Sequence, residues 1–141
     1  MSGLTTILKH GESETVEFKE SFQEEALQTI GAFVNTDGGT LLIGVNDSGV
    51  PTGTTVGRTT LREIADRIIA CTEPRVVPDL RVATVQGRTI ISIQVPEYPI
   101  KPVAVRGRCY CRVATATGSF PHPLLPRCTW LRLVRAGMPG Y

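Results

Sequence analysis

The sequence has no long apolar run and no phosphate-binding loop. Its longest apolar stretch, Leu41-Leu42-Ile43 followed by Gly44-Val45, is far too short to cross a bilayer. The first ten residues, MSGLTTILKH, lack the basic and apolar blocks of a secretion signal. The Gly-Gly pair at 38–39 lacks the G-x-x-x-x-G-K-[ST] spacing of a nucleotide loop. We therefore expect a cytoplasmic protein that binds no ATP and no membrane.

Cysteine and histidine are also scarce. The four cysteines, Cys71, Cys109, Cys111 and Cys128, form no C-x-x-C pair, and the chain has only two histidines. Zinc could be bound by the last three cysteines with His122, but the usual ligand spacing is missing. Buried, reduced thiols are therefore favoured over a zinc site.

A strong net charge is absent, although charge is unevenly distributed along the chain. The formal net charge of the 141 residues is +2. Residues 1–50 carry two lysines and eight acidic side chains, whereas residues 51–141 carry thirteen basic and five acidic side chains. An acidic site beside a basic surface would suit a nucleic-acid-binding protein, and two solvated faces would give the same pattern.

The periodicity of apolar residues predicts one α+β domain with a separate tail. Amphipathic helices are expected over residues 22–34 and 61–71, and strands over 16–19, 40–45, 80–85, 89–95 and 103–113, the last a hairpin. This order predicts a mixed, largely antiparallel sheet of about six strands with two main helices packed on it. The domain is expected to span residues 1–113. Residues 114–141, rich in turn formers, are expected to form an irregular tail.

The stretch GESETVEFK, residues 11–19, is unusually acidic, with three glutamates within six residues. In a strand, Glu17 and Lys19 share one face while Val16 and Phe18 share the other, which is expected to face the core. Glu17 would then lie on the open side of the sheet, with Glu12 in the loop before it. A solvated acidic loop is the simpler explanation of the same residues.

Asp47 immediately follows the 40–45 run, whose unbroken apolar character predicts a central strand buried on both faces. If the first strand lies beside it, Glu12, Glu17 and Asp47 converge. Carboxylate oxygens of this kind suit Mg²⁺ or Mn²⁺, and Lys19 would add positive charge near a phosphodiester. Asn46-Asp47-Ser48-Gly49 is also ordinary turn chemistry, so the alternative of a simple turn stays open.

A basic strand forms a second candidate site. Arg108, Tyr110 and Arg112 alternate along the last predicted strand and therefore share a face. Two guanidiniums beside an aromatic ring suit phosphate contacts and base stacking, and Lys101 and Arg106 could extend this nucleic-acid-binding face. An exposed edge strand kept soluble by arginine would show the same pattern.

Three segments in this order resemble the Schlafen-type AlbA domain: GESETVEFKES, AFVNTDGGTLLIGVNDSG and the closing KPV…GRCYCRV, together covering roughly residues 8–113. The resemblance implies a nucleic-acid-binding fold found in bacterial and archaeal regulators. In some Schlafen proteins the domain is a metal-dependent RNase that acts on structured RNA such as tRNA. Their metal-binding acids would correspond to Glu12, Glu17 and Asp47. The segment Ala114-Thr115-Ala116 departs from the family's closing pattern.

We therefore expect a DNA- or RNA-binding domain used in regulation or RNA handling. A divalent-metal-dependent endoribonuclease, with Glu12, Glu17, Asp47 and Lys19 at its catalytic site and Mg²⁺ or Mn²⁺ as cofactor, is the alternative. A protein-interaction or dimerisation module, including a homodimer paired through a sheet edge, is the second alternative.

Overall fold

The computed structural model describes residues 2–113 and 115–120, which form three helices and eight strands. The helices are α1 (Ser2–His10), α2 (Glu24–Asn35) and α3 (Thr60–Cys71). The strands are β1 (Val16–Lys19), β2 (Gly39–Ile43), β3 (Thr72–Glu73), β4 (Asp79–Val85), β5 (Arg88–Val95), β6 (Ala104–Val105), β7 (Arg108–Val113) and β8 (Ala116–Phe120). No helix in this part of the chain is long and apolar enough to span a membrane.

The strands form two four-stranded sheets. The first has the order β1-β2-β5-β4, with β1 parallel to β2 and the other neighbours antiparallel. The second has the order β3-β6-β7-β8 and is antiparallel. The predicted α+β class with mixed pairing is confirmed. The strands divide between two sheets because the β6–β7 hairpin pairs with β3 and β8 instead of joining the first sheet.

Strand β2 lies inside the first sheet and is buried on both faces, as its unbroken apolar run predicts. Leu41 and Ile43 belong to the core formed with α2, α3 and the second sheet. Leu42 faces the other way and packs with Phe18 in a smaller core. Helix α1, which the sequence analysis did not predict, packs against this smaller core through Leu4, Ile7 and Leu8.

Helix α2 joins the two sheets. A Cβ added at Gly31 would lie 2.5 Å from Val105 Cγ2, so glycine permits the close approach of α2 to β6. At the end of the helix the buried Asn35 side chain donates to the carbonyl oxygens of Val103 at 3.0 Å and Tyr110 at 2.8 Å. Its Oδ1 accepts from Val103 N–H at 2.7 Å. These contacts fix the second sheet against α2.

Strand β8 lies beyond the boundary that the sequence analysis placed at residue 113. It pairs with β7 along its whole length, from Ala116 opposite Val113 to Phe120 opposite Cys109. The rest of the expected tail, residues 121–141, lies outside the described residues.

Candidate functional site

The carboxyl ends of β1 and β2 lie side by side because these two strands are parallel. Asp47 is exposed in the turn that follows β2. That turn is held by Asn46, whose Oδ1 accepts from Ser48 N–H at 2.9 Å and from Val50 N–H at 3.0 Å. The topology therefore brings the end of the acidic motif and Asp47 to the same end of the first sheet.

Glu12 is held in the loop before β1, where its Oε2 accepts from Phe18 N–H at 3.0 Å. Burial raises the pKa of the Glu12 carboxyl above its usual value. The Phe18 N–H opposes this rise, while the charge of Glu17, a hydrogen bond with Glu17 and the charge of Asp47 add to it. Glu12 is therefore near enough to Glu17 and to Asp47 to interact with each of them electrostatically.

The expectation that Glu17 lies on the open side of the sheet is wrong. Glu17 is only 9% exposed, because its side of β1 faces α2 and the β7–β8 hairpin rather than solvent. Its Oε1 accepts from Arg112 Nη1 at 2.6 Å, and its Oε2 lies 3.6 Å from Lys19 Nζ. Lys19 also binds Glu25 Oε2 at 3.2 Å. Glu17 thus belongs to a network of ion pairs.

These contacts bear on the expected Mg²⁺ or Mn²⁺ site. Three carboxylates are chemically suitable ligands for either ion. However, Glu17 is paired with Arg112 and Lys19, and Glu12 is bonded to a backbone N–H. Nowhere in residues 2–113 and 115–120 do three or more His, Cys, Asp or Glu side chains form a group that could hold a metal ion. An ion bound here would therefore have to displace the present partners of Glu17 and Glu12.

Two of the three residues on the expected nucleic-acid-binding face of β7, Tyr110 and Arg112, are buried. Strand β7 lies between β6 and β8, and its Tyr110 packs in the main core. Arg112 is 2% exposed and stacks over the Phe33 ring at 5.1 Å. Its Nη2 donates to the carbonyl oxygens of Ser13 at 2.8 Å and Val16 at 3.1 Å. Arg112 therefore ties β7 to the start of β1, and neither it nor Tyr110 offers a surface for a base.

The other three basic candidates lie in different environments. Lys101 is buried and pairs with Glu97 at 2.7 Å. Arg106 is exposed in the β6–β7 turn and donates to Glu24 Oε2 at 2.8 Å. Arg108 is exposed at the start of β7. Of the five residues predicted to bind nucleic acid, Arg108 alone combines exposure with no acidic partner in the described part of the chain.

Exposed arginines elsewhere were missed by the sequence analysis. The ion pairs among residues 2–113 and 115–120 leave five exposed arginines without an acidic partner: Arg58, Arg62, Arg75, Arg88 and Arg108. The first four lie in the positively charged half of the chain, and that local surplus was the available signal. Arg88 begins β5, which lies antiparallel to β2 and so starts at the same end of the sheet as Asp47.

Two of the four cysteines are buried thiols. Cys109 and Cys111 are free and buried, and burial raises the pKa of both, to about 11 for Cys109. Such thiols are poor nucleophiles and poor metal ligands at neutral pH. The other two members of the considered zinc set, His122 and Cys128, lie outside the described residues.

All eight strands fall within residues 12–120, which match a family model described as Schlafen, AlbA_2. A crystal structure of a Corynebacterium diphtheriae protein is similar to this chain, with a TM-score of 0.64 and 21% identity. The match covers 90% of this chain but only 25% of that protein. This likeness concerns the fold alone. A solution structure of the N-terminal domain of a Nitrosomonas europaea protein is also similar, and that protein is described as related to the ATP-dependent DNA helicase RecG. The TM-score is 0.59 and the identity is 25%, and the match covers 89% of this chain and 90% of that domain. No curated protein matched the chain.

Proposed function

This chain belongs to the Schlafen AlbA_2 family, and from that membership we propose that it binds nucleic acid, DNA or RNA, in a regulatory or RNA-handling role. The observation that carries the proposal is the family match, which spans both sheets instead of a single motif. The similarity to the Nitrosomonas europaea protein, which is described as related to a DNA helicase, supports the same proposal of nucleic-acid binding.

The arginines without acidic partners supply the physical basis for binding. An exposed guanidinium already paired with a carboxylate contributes less to phosphate binding, because the neighbouring negative charge offsets its own. No carboxylate within the described part of the chain pairs with Arg58, Arg62, Arg75, Arg88 or Arg108. Guanidiniums of this kind bind phosphates, release counterions and make affinity depend on salt concentration.

The test is a salt titration with the full chain. Fluorescence anisotropy would follow its binding to labelled single-stranded and duplex DNA and RNA, and the logarithm of the binding constant should fall linearly as the logarithm of salt concentration rises. The double variant Arg88→Ala/Arg108→Ala should weaken binding to unrelated sequences alike and reduce the slope by about two.

The matched control is Arg81→Ala, which removes an exposed arginine already paired with Asp79 at 3.4 Å. It should change the slope by much less than one of the unpaired arginines does. Absence of binding to every substrate, or binding that salt does not weaken, would contradict the proposal.

One observation favours a second candidate, a divalent-metal-dependent endoribonuclease acting on structured RNA. Burial raises the pKa of Glu12, and the charges of Glu17 and Asp47 add to that rise, so three carboxylates lie close to one another at this position. Metal binding would require Glu17 to exchange Arg112 and Lys19 for the ion, so no catalytic step is derived from the present geometry.

The nuclease candidate is tested by incubating the full chain with tRNA and Mn²⁺, with and without a chelator. Cleavage should require Mn²⁺ and should be lost in Asp47→Asn but kept in Asp79→Asn, an exposed control on β4. Binding without cleavage would leave the first proposal alone. If the chain neither binds nor cleaves, an interaction or dimerisation module is the remaining hypothesis.

A further inference from the structure

Strand β4 is one edge of the first sheet and pairs with β5 along its whole length without a bulge. Thr84 of β4 lies opposite Thr89 of β5, and the Thr89 carbonyl instead accepts from Thr54 N–H at 2.9 Å. Thr84 and Thr89 are therefore a non-hydrogen-bonded pair, and such pairs alternate with bonded pairs along an antiparallel ladder. The backbone N–H and C=O groups of Leu80, Val82 and Thr84 consequently point away from β5.

These outward groups of β4 have no hydrogen-bond partner among residues 2–113 and 115–120. Val82, at the middle of the strand, also has an apolar side chain that is 41% exposed. Between Asp79 and Val85 there is no proline or lysine to discourage the addition of a strand, and the exposed Arg81 is paired with Asp79 at 3.4 Å. The edge of β4 is therefore able to accept another extended strand.

The opposite edge of the same sheet, on β1, is closed by the chain itself. Phe18 N–H donates to Glu12 Oε2 at 3.0 Å. The Val16 carbonyl accepts from Ser13 N–H at 2.9 Å and from Arg112 Nη2 at 3.1 Å. Side chains and the preceding loop thus occupy backbone groups that a further strand would need, and β4 is left as the open edge of this sheet.

We propose that the edge of β4 binds β4 of a second copy of this chain, antiparallel to it and about a two-fold axis at Val82. This register pairs all seven residues of β4 with all seven of the partner strand. Val82 lies opposite the partner's Val82, and Leu80 lies opposite the partner's Thr84. Each of these pairs exchanges both of its N–H···O bonds, because the outward backbone groups of the two copies face each other.

The side chains of β4 favour a second copy over an unrelated strand. In this register the two charged residues of β4, Asp79 and Arg81, lie opposite the partner's Val85 and the partner's Ala83. No like charges therefore face each other directly, whereas a register centred on Arg81 would set two guanidiniums opposite each other. On the other face of the strand, the exposed valine of each copy is covered by that of its partner.

Pairing of this kind joins the two first sheets into one and keeps corresponding faces on the same side. Leu80 packs in the main core with Ile64 and Ile68 of α3. Helix α3 of both copies therefore lies on one side of the joined sheet, together with the exposed Arg62 of each copy. A nucleic acid on that side would meet arginines of both copies, although the dimer itself does not depend on the proposed function.

The first experiment measures the mass of the full chain by sedimentation equilibrium over a range of concentrations, without nucleic acid. A monomer–dimer equilibrium is expected. Val82→Lys should raise the dissociation constant of the dimer by about tenfold, because it sets two positive charges opposite each other at the axis. Val50→Lys is the matched control, since Val50 is 51% exposed in the loop after β2, and it should leave the constant unchanged. A chain that stays monomeric at every concentration, or equal effects of the two variants, would overturn the inference.

The second experiment identifies the edge by amide hydrogen exchange of the full chain, followed residue by residue with NMR. The outward amides of Leu80, Val82 and Thr84 should exchange about tenfold more slowly at a concentration where the dimer prevails than where the monomer does. The amides of Arg81 and Ala83, which bond to β5, should be protected at both concentrations. Protection of the outward amides at both concentrations would show that another part of the same chain covers the edge, and no protection would show that the edge stays open. Either result overturns the inference.

Discussion

Arg112 Nη1 lies 2.6 Å from Glu17 Oε1, so a buried ion pair joins β7 of the second sheet to β1 of the first. The two residues were expected to serve two different surfaces, one a metal site and one a nucleic-acid-binding face. Their contact gives both of them a structural role, and that role leads to the first prediction.

Glu17→Gln should destabilise the fold by about 3–5 kcal/mol, because it leaves the Arg112 guanidinium buried without its carboxylate. The double variant Glu17→Gln/Arg112→Met should recover part of that loss, since it removes both charges. Glu25→Gln is the control, because the Glu25 side chain is 79% exposed in its pair with Lys19 and should contribute less than about 1 kcal/mol. Denaturant unfolding of the four proteins measures these differences. Similar losses for Glu17→Gln and Glu25→Gln would refute the buried pair.

Asn35→Ala should destabilise the fold by about 3 kcal/mol, because it leaves Val103 N–H and two buried carbonyls without their partner. Asn46→Ala is the matched change, since Asn46 also holds two backbone groups but does so in an exposed turn where water can replace it. Its cost should be no more than about 1 kcal/mol. The comparison is made by chemical denaturation, and equal costs would contradict the central position given to Asn35.

Gly31→Ala should lower the stability by about 1–3 kcal/mol, since the new methyl group would collide with Val105 Cγ2 and push α2 from β6. Gly3→Ala makes the same chemical change in α1, where nothing lies within 4 Å of the new Cβ. It should stabilise the protein by up to about 1 kcal/mol through helix propensity. Thermal melts of both variants give the answer, and a stabilised Gly31→Ala protein would show that the α2–β6 contact is loose.

Glu12→Gln should make the protein more stable at neutral pH but not in acid. Because the pKa of Glu12 is raised in the folded state, folding favours the protonated carboxyl, and its contribution is lost as pH rises through that raised pKa. The glutamine still accepts from Phe18 N–H without ionising. Melting temperatures measured from acid to neutral pH with a chelator present should therefore diverge as pH rises.

Glu14→Gln, at an exposed position in the same loop, reports the effect of removing any negative charge there. If the melting temperature of Glu12→Gln follows that of Glu14→Gln at every pH, the result contradicts a raised pKa of Glu12 in the folded protein.

Local patterns predicted most of the elements of this fold. The alternation around 80–95 and the apolar run ending at Val45 correspond to β4, β5 and β2. Helix α1 was missed because it spans only nine residues, although Leu4, Ile7 and Leu8 have the spacing of one helical face. The division into two sheets depends on which distant strands pair, and no local pattern encodes that choice.

The candidate site was less predictable for the same reason. Alternation correctly separates Glu17 from Phe18, but it does not say which face of β1 a second sheet covers. An arginine in a strand is predicted to be exposed unless a buried carboxylate on another strand is known to pair with it. Local sequence does not show this pair, because Glu17 precedes Arg112 by 95 positions. Burial of charge is a tertiary property, and sequence spacing alone did not reveal it.

During synthesis on the ribosome, β1 is made long before Arg112, the residue that binds it. Arg112 follows Ser13, one of its carbonyl partners, by 99 positions. A nascent chain that has emerged only through β5 has every strand of the first sheet but no guanidinium for Glu17, so its first strand is expected to stay loosely held. Ribosome-bound chains arrested before and after Arg112 has emerged from the exit tunnel should therefore differ sharply in their resistance to protease near β1, although the first sheet is complete in both.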